Sequence, residues 1–339
     1  MIGRVVPMPD IGAALGPIEA WEYWRTSDEY DFELEHITQP IPIPLGIAPL
    51  DRALGGGIPV GMFTVVGGEA GAGKSALACM ACYYAASRGR LPIFFSMEMP
   101  KHMVVNRMLS IHSTRMVAFN GWPQERLVWW SKTGAEVTHR MGGIGPRSDM
   151  LKMNEDGRYK AAQKYLSQHG EDDVVLSCWN DFKNTMWTKM IVRDDIHSIC
   201  GEDGAISVVE RLCDAGLRPF PIIDYLQLGA DGDGEEYERV TRASHSLALL
   251  CKRRTLAMLV LSGLRNISLS ERNDPPRLSW FRGSGHTGYD AGTAIVLTRD
   301  KEQKAEGVTV KAHIIKNRVG DPDRTVDLKF NGARNLLGE

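Results

Sequence analysis

The segment GEAGAGKS, Gly68 to Ser75, restricts the chain more than any other short stretch in it. It fits G-x-x-x-x-G-K-[ST], in which glycines let the backbone curl until successive N–H groups converge on one anion. The preceding run, GMFTVVGG, is rich in strand formers, and the following SALACMACYYAASRG reads as a helix stopped at Gly89. That order sets the positive N-terminus of a helix at the turn, where a phosphate is favoured. A plain glycine-rich turn would also match the letters, but the strand-to-helix context favours nucleotide binding. The candidate cofactor-binding residues are Gly68, Glu69, Ala70, Gly71, Ala72, Gly73, Lys74, Ser75 and Ala76. Among them Lys74 is placed to reach the β- and γ-phosphates of ATP, and the Ser75 hydroxyl to hold Mg2+.

Around this loop the chain alternates strand-like and helix-like stretches from Leu45 onward. LPIFFSM, DVVLSCW, FPIIDYLQL and LAMLVLSGL read as buried strands; KHMVVNRMLSIH and stretches near 203–216 and 237–254 read as helices. The tail, TAIVLTRD, VTVKAHIIKNR and RTVDLKF, reads as a β-meander. The expected class is α/β, with a mostly parallel central sheet extended by antiparallel C-terminal strands. Residues 1–44 read as an N-terminal arm and proline-rich linker containing TQPIPIPLG, and 45–339 as the main domain, with a helical elaboration at about 114–172.

Composition excludes several classes. A net charge of -2 gives no basic field, so any grip on nucleic acid must be local. No apolar run approaches the roughly 18 residues needed to span a bilayer, and Pro7, Pro9 and Asp10 break up any signal-peptide core. Cys79 and Cys82 lie one helical turn apart with no second pair to complete a zinc site, so they read as small core residues in a reducing compartment. A cytoplasmic protein without a membrane segment is expected.

Two carboxylates then draw attention. Asp224 follows the apolar run PFPII, and a carboxylate ending such a strand is costly unless charge meets it. If its strand neighbours the phosphate loop, Asp224 joins Ser75 in holding Mg2+. Glu98 follows LPIFFSM and opens at the same edge, where it is the candidate to orient a water against the γ-phosphate. The competing readings are a turn-capping Asp and a surface Glu that begins a helix.

SMEMP, IIDYLQL, SGLRN, GSGHTGYDAG and IIKNRVG occur in that order, and the series resembles the DnaB-type replicative helicases, members of the RecA-like P-loop ATPases. The likeness covers about residues 45 to 335; LDRALGGGIPVG and KNR are also similar to RadA and KaiC relatives. The resemblance implies a RecA-like motor domain that hydrolyses ATP with Mg2+ at the boundaries of a homo-oligomeric, hexameric ring and moves along single-stranded DNA. It assigns water activation to Glu98, and it implies that Lys316 and Arg318 reach the neighbouring subunit's γ-phosphate. By residues alone, Lys316 and Arg318 would read as a solvated strand end.

The family's sensor Gln is replaced by Gly263, with Arg265 or Asn266 as candidate substitutes. The short arm stands where family members carry a helical domain that contacts primase; a loader or replication protein is a further implied partner. The candidate DNA contacts are Arg265, Arg272, Arg277 and Arg282, in a segment that also holds Glu271 and Asp274. GADGDGEEYER is too acidic to be the main grip, and Trp280 and Phe281 read as packing residues before base-stacking ones. The alternatives are a RecA-class ATPase of recombination or signalling that does not unwind DNA, and a nucleotide-gated partner protein without catalysis.

Overall fold

The computed structural model describes residues 41–119, 181–268, 271, 274–283, 286–299, 308–331 and 336–338. Residues 1–40 of the expected arm, the strand DVVLSCW, nearly all of the helical elaboration and Arg272 lie outside the described residues.

Among the described residues nine strands form one sheet: β1 (Phe63–Gly68), β2 (Leu91–Ser96), β3 (Ile191–Arg193), β4 (Pro219–Asp224), β5 (Met258–Ser262), β6 (Thr293–Arg299), β7 (Val308–Asn317), β8 (Arg324–Asn331) and β9 (Leu336–Gly338). The order across the sheet is β3-β2-β4-β5-β1-β6-β7-β8-β9. From β3 to β6 every pairing is parallel, and from β6 to β9 every pairing is antiparallel. This is the architecture expected from strands that alternate first with helices and then with turns.

Side chains alternate across the sheet with period two, so each strand feeds two cores. Val66, Phe94, Ile222, Leu259 and Ile295 face one layer, which is completed by α2 (Lys74–Ser87) and α3 (Lys101–Phe119). Val65, Ile93, Phe95, Ile223 and Val260 face the other layer, with α4 (Ala205–Asp214) and α6 (Glu236–Arg254). Three short helices complete the description: α1 (Ala48–Ala53), α5 (Leu226–Gly229) and α7 (His286–Asp290). Cys79 and Cys82 are fully buried in α2, and no group of His, Cys, Asp or Glu among the described residues could hold a metal ion as a cluster. No described helix is long and apolar enough to cross a membrane.

The structure corrects the sequence reading at three places. β4 does not neighbour β1, because β5 lies between them. Strands β4 and β5 are covered on both faces, β5 by Met258 and Val260 against Leu259 and Leu261 and β4 by Ile222 against Ile223, so apolar content alone does not set their order. The run FPIIDYLQL is strand only through Asp224, after which Leu226–Gly229 turn into α5. β3 and β9 are short strands that no periodicity announces.

Phe94 is fully buried on β2, opposite Ile222 of β4. Phe94→Ala is expected to lower the unfolding free energy by about 3–5 kcal/mol. A urea titration checks this: the midpoint should fall while its slope stays constant, and an unchanged midpoint would contradict the packing described.

Candidate active site

The phosphate loop leaves the carboxyl end of β1 and enters α2. Gly71 and Gly73 hold φ of +76° and +94°, in the left-handed region where a side chain is strained, and Gly73 is the N-cap of α2. Lys74 Nζ donates to the carbonyls of Gly68 at 2.6 Å and Glu69 at 3.1 Å, so the ammonium folds over its own loop. Burial pulls the Lys74 pKa down, and Asp224, Glu98 and Glu69 push it back up. The ammonium therefore faces three acids, among them both carboxylates expected at this edge.

Asp224 ends β4 and is 1% exposed. Although β5 separates β4 from β1, α2 crosses the sheet and packs on β5, β4 and β2. Its first turn thereby brings the Ser75 side chain into a hydrogen bond with the Asp224 carboxylate. Burial pushes the Asp224 carboxyl up to about 6; Ser75 opposes this, Glu98 adds to it, and Arg107 and Lys74 oppose it further. Asp224 Oδ2 is buried with no hydrogen-bond partner among the described residues. An orphaned carboxylate oxygen beside a hydroxyl at a phosphate cradle suits a hard divalent cation. Ser75 and Asp224 thus fit Mg2+.

Glu98 lies two residues beyond β2, in an exposed bend. Ser96 is in register with Asp224, and the Met97 N–H donates to the Asp224 carbonyl at 2.7 Å. The Ser96 hydroxyl donates to the Met99 carbonyl at 2.6 Å and closes the bend. Glu98 is held close to Asp224 while its own carboxylate meets solvent, which leaves room for a water.

Lys316 and Arg318 are not part of this cluster. Thr64 of β1 pairs with Thr293 of β6, and Thr293 pairs with Asn317 of β7. Asn317 is therefore level with Thr64, about 13 Å along the strand from Gly68 at ~3.3 Å per residue. Here Lys316 Nζ donates to the Gly288 and Tyr289 carbonyls at 3.0 and 2.6 Å, and Arg318 donates to Tyr289 at 3.3 Å. Both cations converge on one spot at the edge of the sheet opposite the phosphate loop.

The loop arginines that the structure describes are each paired with an acid. Arg265 forks onto Glu271 and holds that carboxyl down at about 2, Arg277 reaches Asp274 at 3.2 Å, and Arg282 reaches Glu236 at 2.9 and 3.2 Å. Trp280 and Phe281 are 4% and 3% exposed, so both are packing residues. Two side chains at this edge were missed from sequence. Arg107 of α3 lies in the field of Asp224, and Gln227 of α5 bonds to Ser262, Gly263 and Arg282. The Gln of DYLQL could have drawn notice as a polar residue in an apolar run; nothing in the α3 pattern marks Arg107.

The model of the DnaB-like helicase C-terminal domain matches residues 42–127 and 206–337. No curated protein matches the chain in sequence. Among solved structures, the ATPase domain of G40P superposes with a TM-score of 0.63 at 20% identity, over 98% of this chain and 99% of that one. A DnaB-like replicative helicase studied with primase gives 0.63 at 21% identity, over 96% of this chain and 67% of that one. A KaiC-like protein, PH0186 of Pyrococcus horikoshii OT3, gives 0.53 at 15% identity, over 88% and 99%. At these identities the superpositions establish the shared RecA-like fold.

The raised Asp224 pKa has a definite sign in the metal-free chain. Below about pH 4 folded and unfolded states both hold the proton; between about 4 and about 6 the folded state keeps it and the unfolded state releases it. This contribution to stability is full below about pH 4 and is lost as pH rises through about 6. Urea unfolding in chelator from pH 4 to 7 should show the decline, and Asp224→Asn should flatten it. Equal slopes for both proteins would show that Asp224 does not titrate in this window.

Proposed function

The chain belongs to the DnaB-like helicase C-terminal domain family, and on that premise we propose that it is an ATP-driven helicase or translocase acting on single-stranded DNA. The observation that carries the reading is the meeting of Lys74, Ser75, Asp224 and Glu98 at one sheet edge. That edge matches the chemistry of ATP hydrolysis residue by residue.

The residues from Gly68 to Ser75 cradle the triphosphate with backbone N–H groups, and Ala76 continues the first turn of α2. Lys74 leaves the carbonyls of Gly68 and Glu69 for the β- and γ-phosphates, exchanging two neutral acceptors for charged ones. Ser75 and Asp224 would hold Mg2+, which would supply neutralisation of charge on the phosphates. Glu98 orients a water in line with the γ-phosphate and takes its proton.

Lys316 and Arg318 lie too far along β7 to serve the phosphates held by their own chain. They act on the nucleotide of a neighbouring copy, which makes hydrolysis depend on assembly into a ring, hexameric as in the family. Arg265, Arg277 and Arg282 bind the DNA backbone when phosphates displace their acids, and Arg272 is a further contact. A surface ion pair contributes about 0–1 kcal/mol, so that exchange is inexpensive.

The test is ATP hydrolysis with and without single-stranded DNA, and strand displacement on a forked duplex. Stimulation and displacement support the motor; hydrolysis indifferent to DNA would overturn it. Glu98→Gln should bind ATP normally and lose about 10²-fold or more in turnover, and full turnover would remove Glu98 from its role. Lys74→Ala and Arg318→Ala should each be inactive alone yet regain activity when mixed, because mixed boundaries pair an intact loop with an intact Arg318. Failure of mixing to restore hydrolysis would argue against action in trans.

A further inference from the structure

Four backbone segments meet at the carboxyl edge beside the proposed nucleotide site: the end of β4, the end of β5, the returning segment at 280–282 and the start of α6. We propose that Gln227 is a positioning residue that joins them, so that nucleotide bound at Asp224 is felt in the loop 264–283.

Gln227 lies in α5, three residues after Asp224. Its Nε2 donates to the Ser262 hydroxyl at 2.8 Å and the Arg282 carbonyl at 2.7 Å. Its Oε1 accepts the Gly263 N–H at 3.0 Å. These partners fix the orientation of the amide, since a flip would set its NH2 against an N–H and its oxygen against a carbonyl.

The loop closes immediately around this contact. The Arg282 N–H donates to the Gly263 carbonyl at 2.9 Å and the Arg265 N–H to the Trp280 carbonyl at 2.8 Å, with Leu264 and Phe281 bridged between them. The Arg282 side chain then pairs with Glu236 in the first turn of α6, tying in the acidic loop as well. A Cβ at Gly263 would stand 3.8 Å from both Gln227 Oε1 and Arg282 Cδ, an ordinary contact, so the bond to Gln227 uses the backbone N–H and does not require a glycine there. Of the two candidate substitutes, Arg265 and Asn266, the first is already committed to Glu271.

The path to the nucleotide is short and stiff. Tyr225 and Leu226 separate Asp224 from Gln227, and Leu226 is fully buried. A shift of the Asp224 backbone as its carboxylate gains a cation therefore moves the Gln227 amide. Directional hydrogen bonds carry the shift to Gly263 and Arg282.

The experiment compares wild type with Gln227→Leu, which keeps the bulk and removes the hydrogen bonds. Gln227→Glu keeps the acceptor for Gly263 and opposes the Arg282 carbonyl. Amide hydrogen exchange is measured with and without Mg2+ and a non-hydrolysable ATP analogue, alongside ATPase with and without single-stranded DNA. The analogue should slow exchange in 68–75 and in 264–283 of wild type. In Gln227→Leu the response at 68–75 should persist, the response at 264–283 should vanish, and DNA stimulation should fall by about tenfold or more. Retention of both responses and of stimulation in the Leu variant would overturn the proposal. The ATPase arm rests on the motor reading: if wild type itself ignores DNA, that reading fails, and the exchange arm still judges Gln227 alone. Should the Leu variant melt far below wild type, the Glu variant tests the Arg282 arm by itself: exchange protection at 280–283 should lose its response to the analogue, and an unchanged response there would overturn the proposal.

Discussion

A carboxylate buried beside an ammonium, with one oxygen unsatisfied, is the constraint from which the rest of this structure is best understood. Asp224 is 1% exposed and its Oδ2 has no partner among the described residues, an arrangement that costs several kcal/mol in a fold that puts it to no use. Ser75 and Lys74 offset part of that cost, and both come from the first turn of α2. They reach Asp224 because α2 leaves β1 and crosses over β5 to pack on β4 and β2. Sheet order, helix direction and the glycine-rich turn therefore serve one contact.

Residues whose chemistry is local were legible in the sequence. The phosphate loop needs its glycines at fixed offsets, and Gly71 and Gly73 do adopt the left-handed backbone that such a loop demands. Asp224 was visible as a charge ending an apolar strand, and Glu98 as an acid just past another. What stayed hidden depends on pairings across long stretches of chain. No periodicity tells that β5 is inserted beside β1, because buried parallel strands look alike. Ion pairs such as Arg282 with Glu236 join residues from separate loops, so counting arginines along the sequence overstates the free positive charge. Gln227 looked like part of a strand, and its role appears only when α5 turns it toward Gly263.

The polarity of the sheet divides the labour. Parallel strands send the phosphate loop, Asp224 and Glu98 to one edge, and the antiparallel return of β7 carries Lys316 and Arg318 to the other. No rotamer change brings those cations back across about 13 Å of strand. On the proposed function, the nucleotide would sit at one edge and the cations at the other, an arrangement that suits copies stacked head to tail. Heterologous contacts of that kind generate rings when the rotation closes.

The same reasoning applies to the loops at the nucleotide edge. Arg265, Arg277 and Arg282 spend their charge on Glu271, Asp274 and Glu236, so the edge carries little net field, in keeping with a chain whose net charge is -2. A polyanion reaching it must replace acids one for one, and each replacement frees a carboxylate. Release of Glu236 from Arg282 loosens the start of α6 from the loop that Gln227 holds to Gly263. Under the two proposals, Arg282 serves both ligands, its guanidinium held by Glu236 until a phosphate replaces it and its carbonyl accepting from Gln227. Coupling between the two ligands then follows from two bonds to a single residue, and it runs equally in both directions, as linkage between binding sites requires.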